Sequence, residues 1–139
     1  MSKNREEGLV MDIINLQSKI QKRVGGALFV HGIGLSEYFV LNQLYLAPKQ
    51  KMRRSDLAEQ VGLSPSGITR LLNPLEKVGL VEKEPNPRDA RVSLVALSAA
   101  GKQVYEDAQI SFGFASADLF KQFDAKQLST FSKLLKVLL

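Results

Sequence analysis

Ser64-Pro-Ser-Gly-Ile-Thr-Arg-Leu-Leu-Asn-Pro-Leu-Glu-Lys-Val-Gly79 is the stretch from which the rest of the chain can be read. Ser64 offers a hydroxyl that can cap a helix, and Pro65 suits the first helical position. Gly79 is a natural stop. Between them, Ile68, Leu71, Leu72, Leu75 and Val78 recur at helical spacing and make one apolar stripe. Ser66, Thr69, Arg70, Asn73 and Lys77 occupy the remaining surface, where Glu76 is the one acid. Pro74 removes a hydrogen bond to the Arg70 carbonyl and predicts a bend after the first two turns. The apolar spacing through Val78 predicts that the helix continues beyond it. A short helix with this back and this front fits the major groove of duplex DNA. There, small hydroxyls reach phosphates and bases, and an arginine takes guanine through two hydrogen bonds. Any amphipathic surface helix also has a polar front, so the neighbouring segments decide.

Just before it, Ser55-Asp-Leu-Ala-Glu-Gln-Val61 reads as a second short helix, with Leu57, Ala58 and Val61 inward. Gly62-Leu63 makes the tight turn between the two, which gives a helix-turn-helix. Just after it, Leu80–Glu84 and Val92–Leu97 read as two strands. The tip between them, Pro85-Asn-Pro-Arg-Asp-Ala-Arg91, has turn chemistry and two arginines. A hairpin in this place is a wing that can reach an adjacent groove.

The ordered set Leu57-Ala58, Val61–Ser64, Thr69–Leu72, Leu75-Glu76, Gly79–Val81, Asp89–Arg91 and Leu97-Ser98, with Gly101, resembles the winged helix of the MarR family of transcriptional regulators. The helical flanks have the order and length that this resemblance requires. One position departs from it. The first helix of the motif usually starts on a Thr or Ser cap, and here Arg53 stands in that place. Ser55 is the alternative cap. The resemblance implies a mostly α fold with a small β-hairpin wing. It implies one domain over residues 1–139, with a winged helix-turn-helix lobe over residues 35–97. Residues 6–30 and 98–139 would then be dimerisation helices that interleave between two subunits.

The 139 residues suit one domain with a real core. The formal net charge of +5 favours an anionic partner. From Lys49 to Arg91, nine Lys/Arg stand against six Asp/Glu, so three of the five excess charges fall in the expected reading module. The chain has no cysteine, which excludes disulfides, thiolate metal sites and peroxide sensing by a thiol. No apolar run approaches the ~20 residues that span a bilayer, and the first residues lack a signal peptide's apolar core. A soluble cytoplasmic protein with no membrane association is the expectation.

Leu9, Ile13, Leu16, Ile20 and Val24 predict an amphipathic helix from about Glu6 onward. It passes Gly25-Gly26 at a cost of ~1 kcal/mol each and continues, bent, through Val30. His31–Gly34 reads as a loop. Ser36 opens the next helix, with Phe39, Val40, Leu44 and Leu46 apolar, and Pro48 ends it. Lys49, Lys51, Arg53 and Arg54 form a basic lead-in that is either a solvated loop or a set of phosphate contacts. Ser98 is placed to cap a helix carrying Val104, Ala108, Phe112, Ala115 and Leu119. Asp124 and Gln127 have the spacing of a capping box for the last helix. Its broad face of Leu128, Phe131, Leu134, Leu135 and Leu138 favours burial against a second chain, with twofold symmetry as the common closed form. The alternative is a monomer with an internal helical layer.

An enzyme needs positioned acids, bases or nucleophiles. His31 is the lone histidine, and no cysteine accompanies it, so neither catalysis nor a metal or other cofactor is expected. The expected partners are double-stranded DNA and a second copy of the chain. The expected DNA-binding residues are Ser64, Ser66, Gly67, Thr69, Arg70, Asn73, Arg88, Asp89 and Arg91. Arg70 would read a base edge, while Ser64, Ser66 and Thr69 would orient the helix through phosphates. The resemblance places Arg91 in the minor groove, with Asp89 fixing its direction and Arg88 on a phosphate. It further implies repression by occlusion of a pseudo-palindromic operator. It also implies release by a small phenolic or aromatic acid, for which Arg23, His31, Tyr38 and Tyr45 are the candidates. The alternative to all of this is a winged-helix module that uses the same surface to bind protein without DNA.

Overall fold

Burial of the stripe that begins at Ile68 sets the architecture. The chain, seen in a computed structural model, is described over residues 2–139, with side chains from Asn4 onward. Its elements are α1 (Ser2–Phe29), α2 (Leu35–Leu46), β1 (Lys51–Arg53), α3 (Arg54–Val61), α4 (Pro65–Lys77), β2 (Val81–Pro85), β3 (Ser93–Leu97), α5 (Ala99–Leu119) and α6 (Ala125–Leu138). Ile68, Leu72 and Leu75 of α4 pack into one core with Leu57 and Ala58 of α3 and Leu41 and Leu44 of α2. Each such side chain contributes ~1.5–3 kcal/mol by leaving water. That gain explains why α4 runs through Pro74 to Lys77. The proline costs ~3 kcal/mol, yet ending the helix at Asn73 would unseat Leu75 and the Leu80 that follows.

The helix ends where a glycine permits it. Gly79 has φ of 80° and Gly62, between α3 and α4, has φ of 70°. Both are left-handed conformations that side chains disfavour. Val78 departs from the expected stripe. It is the C-cap of α4 and is 68% exposed, because the chain has left the helical path there.

Four further expectations need correction. The second helix starts at Leu35, one residue before Ser36, with Gly34 as its cap residue, whose amide donates to the Glu37 carboxylate at 2.8 Å. Ser55 caps nothing. α3 starts at Arg54 with Arg53 as the cap residue, and the Arg53 side chain makes no capping bond. The wing is not a lone hairpin. Lys51–Arg53, expected in a loop, is a third strand, and the antiparallel sheet has the order β1-β3-β2. Met52 and Lys83 both stand opposite Val95. Phe39 and Leu46 of α2 are exposed, and Leu41 takes the place in the core expected of them.

α5 packs along α1 and α2. Its Tyr105, 2% exposed, stacks on Tyr38 at 5.1 Å between ring centres and lies 4.6 Å from Tyr45. The outer helices leave apolar surface uncovered. Leu9, Val10, Ile13 and Ile14 of α1 are exposed, as are Leu134, Leu135 and Leu138 of α6. No helix among the described residues is long and apolar enough to cross a membrane.

Candidate nucleic-acid interface

The start of α4 is built by its cap. Ser64 Oγ accepts the Gly67 amide at 3.1 Å and lies 3.2 Å from Ser66 Oγ. Its backbone carbonyl accepts the Ile68 amide at 2.9 Å. Pro65 fills the first turn, where a missing N–H costs nothing. The backbone of Gly67 lies under Ser64 Oγ and Leu63, so a side chain there would crowd the cap. Ser64 and Gly67 therefore shape the helix start, and Ser66, Arg70 and Asn73 present their side chains outward. Thr69 is half-buried, and its Oγ1 accepts a hydrogen bond from Arg54 Nη1 at 3.1 Å.

The two arginines at the start of α3 do different work. Arg53 donates twice to Asp56, at 2.9 and 3.0 Å. This bond holds the Asp56 carboxyl below its ordinary value and raises the guanidinium. Arg54 turns the other way, to α4. With Thr69, Asn73, Glu76, Lys77 and Lys83 it lines a cleft of about 620 Å³. Two cations at a helix N-terminus oppose the helix dipole, and Asp56 in the first turn offsets part of that.

The wing tip is shaped by short-range hydrogen bonds. Asn86 Oδ1 accepts the Arg88 amide at 3.0 Å. Asp89 Oδ1 accepts both the Arg91 amide at 3.0 Å and Arg91 Nε at 3.2 Å. These bonds from Arg91 hold the Asp89 carboxyl below its ordinary value. The Arg91 side chain remains 90% exposed, aimed and unburied. Arg88 lines a different cleft, of about 720 Å³, with Lys49, Lys51, Arg53 and Asp56.

The four candidate ligand residues share one neighbour, α5. Arg23 pairs with Asp118 at 3.6 Å, and His31 Nε2 lies 2.7 Å from Ser111 Oγ. Tyr38 stacks on Phe112 as well as Tyr105, and burial pushes its hydroxyl well above the ordinary tyrosine value. Tyr45 donates to Glu106 Oε2 at 2.8 Å, which raises its hydroxyl in turn. Sequence reasoning missed Tyr105, whose hydroxyl donates to Asn42 Oδ1 at 2.6 Å. It also named Arg54 only within a basic run. Two adjacent arginines look alike until the fold sends them to different partners.

Comparison with known proteins agrees with this geometry. The sequence profile of the MarR family matches residues 31–92. The chain is 28% identical over 97 residues to the HTH-type transcriptional regulator PrsX of Escherichia coli, a match that takes in 69% of this chain and 58% of that one. It is 33% identical over 78 residues to the uncharacterized HTH-type transcriptional regulator YdgJ of Bacillus subtilis, over 56% of this chain and 46% of that one. The matched region thus spans less than two thirds of either relative. The crystal structure of a mutant Escherichia coli MarR complexed with operator DNA superposes with a TM-score of 0.89 at 26% identity, covering 98% of this chain and 96% of that one. A MarR family transcriptional regulator from Streptomyces coelicolor, in complex with DNA, shares the fold with a TM-score of 0.88 at 20% identity, over 97% and 86% of the two chains. Over residues 31–92 the chain is thus similar to the MarR family, and in its whole fold it is similar to solved MarR family structures.

Proposed function

We propose that this chain binds double-stranded DNA sequence-specifically as a homodimer and represses transcription by occluding a pseudo-palindromic operator. The observation that carries the reading is the pairing of two exposed prongs. The polar face of α4, with Ser66, Arg70 and Asn73, is free of intramolecular ion pairs among the described residues. The Arg91 guanidinium at the wing is aimed by Asp89 and left in solvent. A helix in the major groove and an arginine in the adjacent minor groove use both.

The uncovered apolar faces of α1 and α6 support a second copy of the chain. Twofold symmetry would then set two recognition helices about 34 Å apart, one turn of DNA. Arg23, His31, Tyr38 and Tyr45 all touch α5, the helix that leads from the winged lobe to α6. A small aromatic acid that wedged into this packing would shift α5 and change the spacing of the two prongs, which is the proposed route of release.

Selection of bound sequences from a random duplex library tests the reading. A palindromic consensus, with binding that weakens steeply as salt rises, is the expected result. Failure to enrich any sequence, together with salt-independent retention of protein partners, would favour an interaction module instead.

A further inference from the structure

We propose that Arg54 is a clamp, tying the recognition helix to the helix before it while donating to a DNA phosphate in the hollow between that helix and the wing. The inference rests on the DNA-binding reading above.

Three observations converge on this side chain. First, its Nη1 donates to Thr69 Oγ1 at 3.1 Å, a bond between α3 and α4 that spans 15 residues of sequence. Second, Arg54 lines two separate hollows. One it shares with Thr69, Asn73, Lys77 and Lys83 on the α4 side, and the other with Arg91, Val92 and Ser93 of the wing. It therefore stands between the two exposed prongs. Third, no carboxylate among the described residues pairs with it, although Glu76 lines one hollow and Glu59 the other. Its neighbour Arg53, by contrast, is paired with Asp56 through two hydrogen bonds.

The chemistry of the pair follows from counting donors. A guanidinium carries five N–H groups and no acceptor, and one of them is spent on Thr69. The other four have no protein partner among the described residues, and a phosphate can take two of them at once through a pair of its oxygens. A threonine hydroxyl has one O–H. Because its oxygen already accepts from Arg54, that O–H points away from the arginine and is left to donate elsewhere. Arg54 thus biases Thr69 toward donating, which suits a phosphate oxygen or the acceptor edge of guanine. A half-buried cation beside a helix N-terminus is electrostatically costly when alone, and an arriving phosphate relieves that cost.

The test uses the full chain and the duplex selected by the wild-type protein, with binding measured across salt for Arg54→Ala, Thr69→Val and the double variant. Circular dichroism confirms that each is folded. Arg54→Ala should weaken binding about tenfold and make the plot of log affinity against log salt shallower by about 0.9, the loss of one phosphate contact. Thr69→Val should weaken binding several-fold in the wild-type background and far less in the Arg54→Ala background. An Arg54→Ala protein with unchanged affinity and slope overturns the phosphate contact. Strictly multiplicative effects of the two substitutions overturn the clamp. A wild-type chain that ignores duplex DNA at low salt overturns the underlying reading itself, and so is distinct from either result.

Discussion

Gly101, in the first turn of α5, lies so close to the backbone carbonyl of Leu80 that no side chain fits between them. The contact is one of several at the same place. Ser98 Oγ accepts the Gly101 amide at 2.9 Å and donates to the Gly79 carbonyl at 2.6 Å. The Ser98 amide donates to Leu80 O at 3.1 Å. The end of the recognition helix, the start of the wing and the start of α5 are thereby latched together. A methyl group at Gly101 would also press on Leu97 Cδ1. Overpacking against backbone costs ~1–3 kcal/mol or more, while alanine regains ~1 kcal/mol of helix propensity. Gly101→Ala should therefore lose ~2 kcal/mol, about 8 °C in melting temperature for a domain of this size. Thermal unfolding that leaves the midpoint within a degree of wild type would show that the latch has slack.

That latch marks the boundary of what the chain discloses before folding. Ser64, Ser98 and Asp124 were legible as helix caps because capping is local, and each does accept the expected amide, from Gly67, Gly101 and Gln127 respectively. Gly101 was visible only as one member of a family signature. Its reason is a contact with Leu80, 21 residues away in sequence. β1 was illegible for a related cause. Three residues show no usable alternation, and the strand exists because Val95, some 40 positions later, offers its backbone. The polar face of α4 and the arginines of the wing were readable from spacing alone. The division of labour between Arg53 and Arg54 was not, since it depends on which helix each side chain reaches.

The wing should respond to acid in a defined direction. Asp89 is held below the ordinary carboxyl value of 3.8 by the amide and guanidinium of Arg91. A depressed carboxyl stabilises the ordered turn above 3.8, and that contribution is lost as pH falls through the lower folded value. The Arg91 amide resonance should therefore titrate with a midpoint below 3.8 and stay constant from pH 5 to 7. A midpoint at or above 3.8 would mean that Asp89 does not hold the turn in solution.

Arg70 and Arg91 should fail in different ways. Arg70 sits on the exposed face of α4 and is proposed to read a base edge. Arg70→Ala should relax preference at one defined base pair, costing ~1–3 kcal/mol there. Arg91 is an exposed cation aimed by Asp89, and Arg91→Ala should weaken binding and flatten the salt dependence by about one charge. Affinity profiles over single-base variants of the operator, repeated at several salt concentrations, separate the two. Uniform loss across all variants for Arg70→Ala would demote it to a phosphate contact, and an unchanged slope for Arg91→Ala would remove the wing from the interface.

The apolar surface of the outer helices bears on whether two such prongs act together. Leu134 and Leu138, at 65% and 71% exposure, lie one turn apart on α6, and Leu9 and Ile13 are exposed on α1. Scattered exposed leucines are ordinary on a protein surface, but several apolar side chains exposed together on one helix face mark an interface. Leu134→Asp with Leu138→Asp places two charges where a partner helix would have to desolvate them, at a cost no rim contact offsets. The variant should sediment as a single chain with its far-ultraviolet dichroism intact. A single chain reaches one half-site only, so its binding to a palindromic duplex should drop by orders of magnitude and lose its dependence on half-site spacing. A variant that still sediments as the wild type does, and binds the palindrome equally well, would place the interface elsewhere.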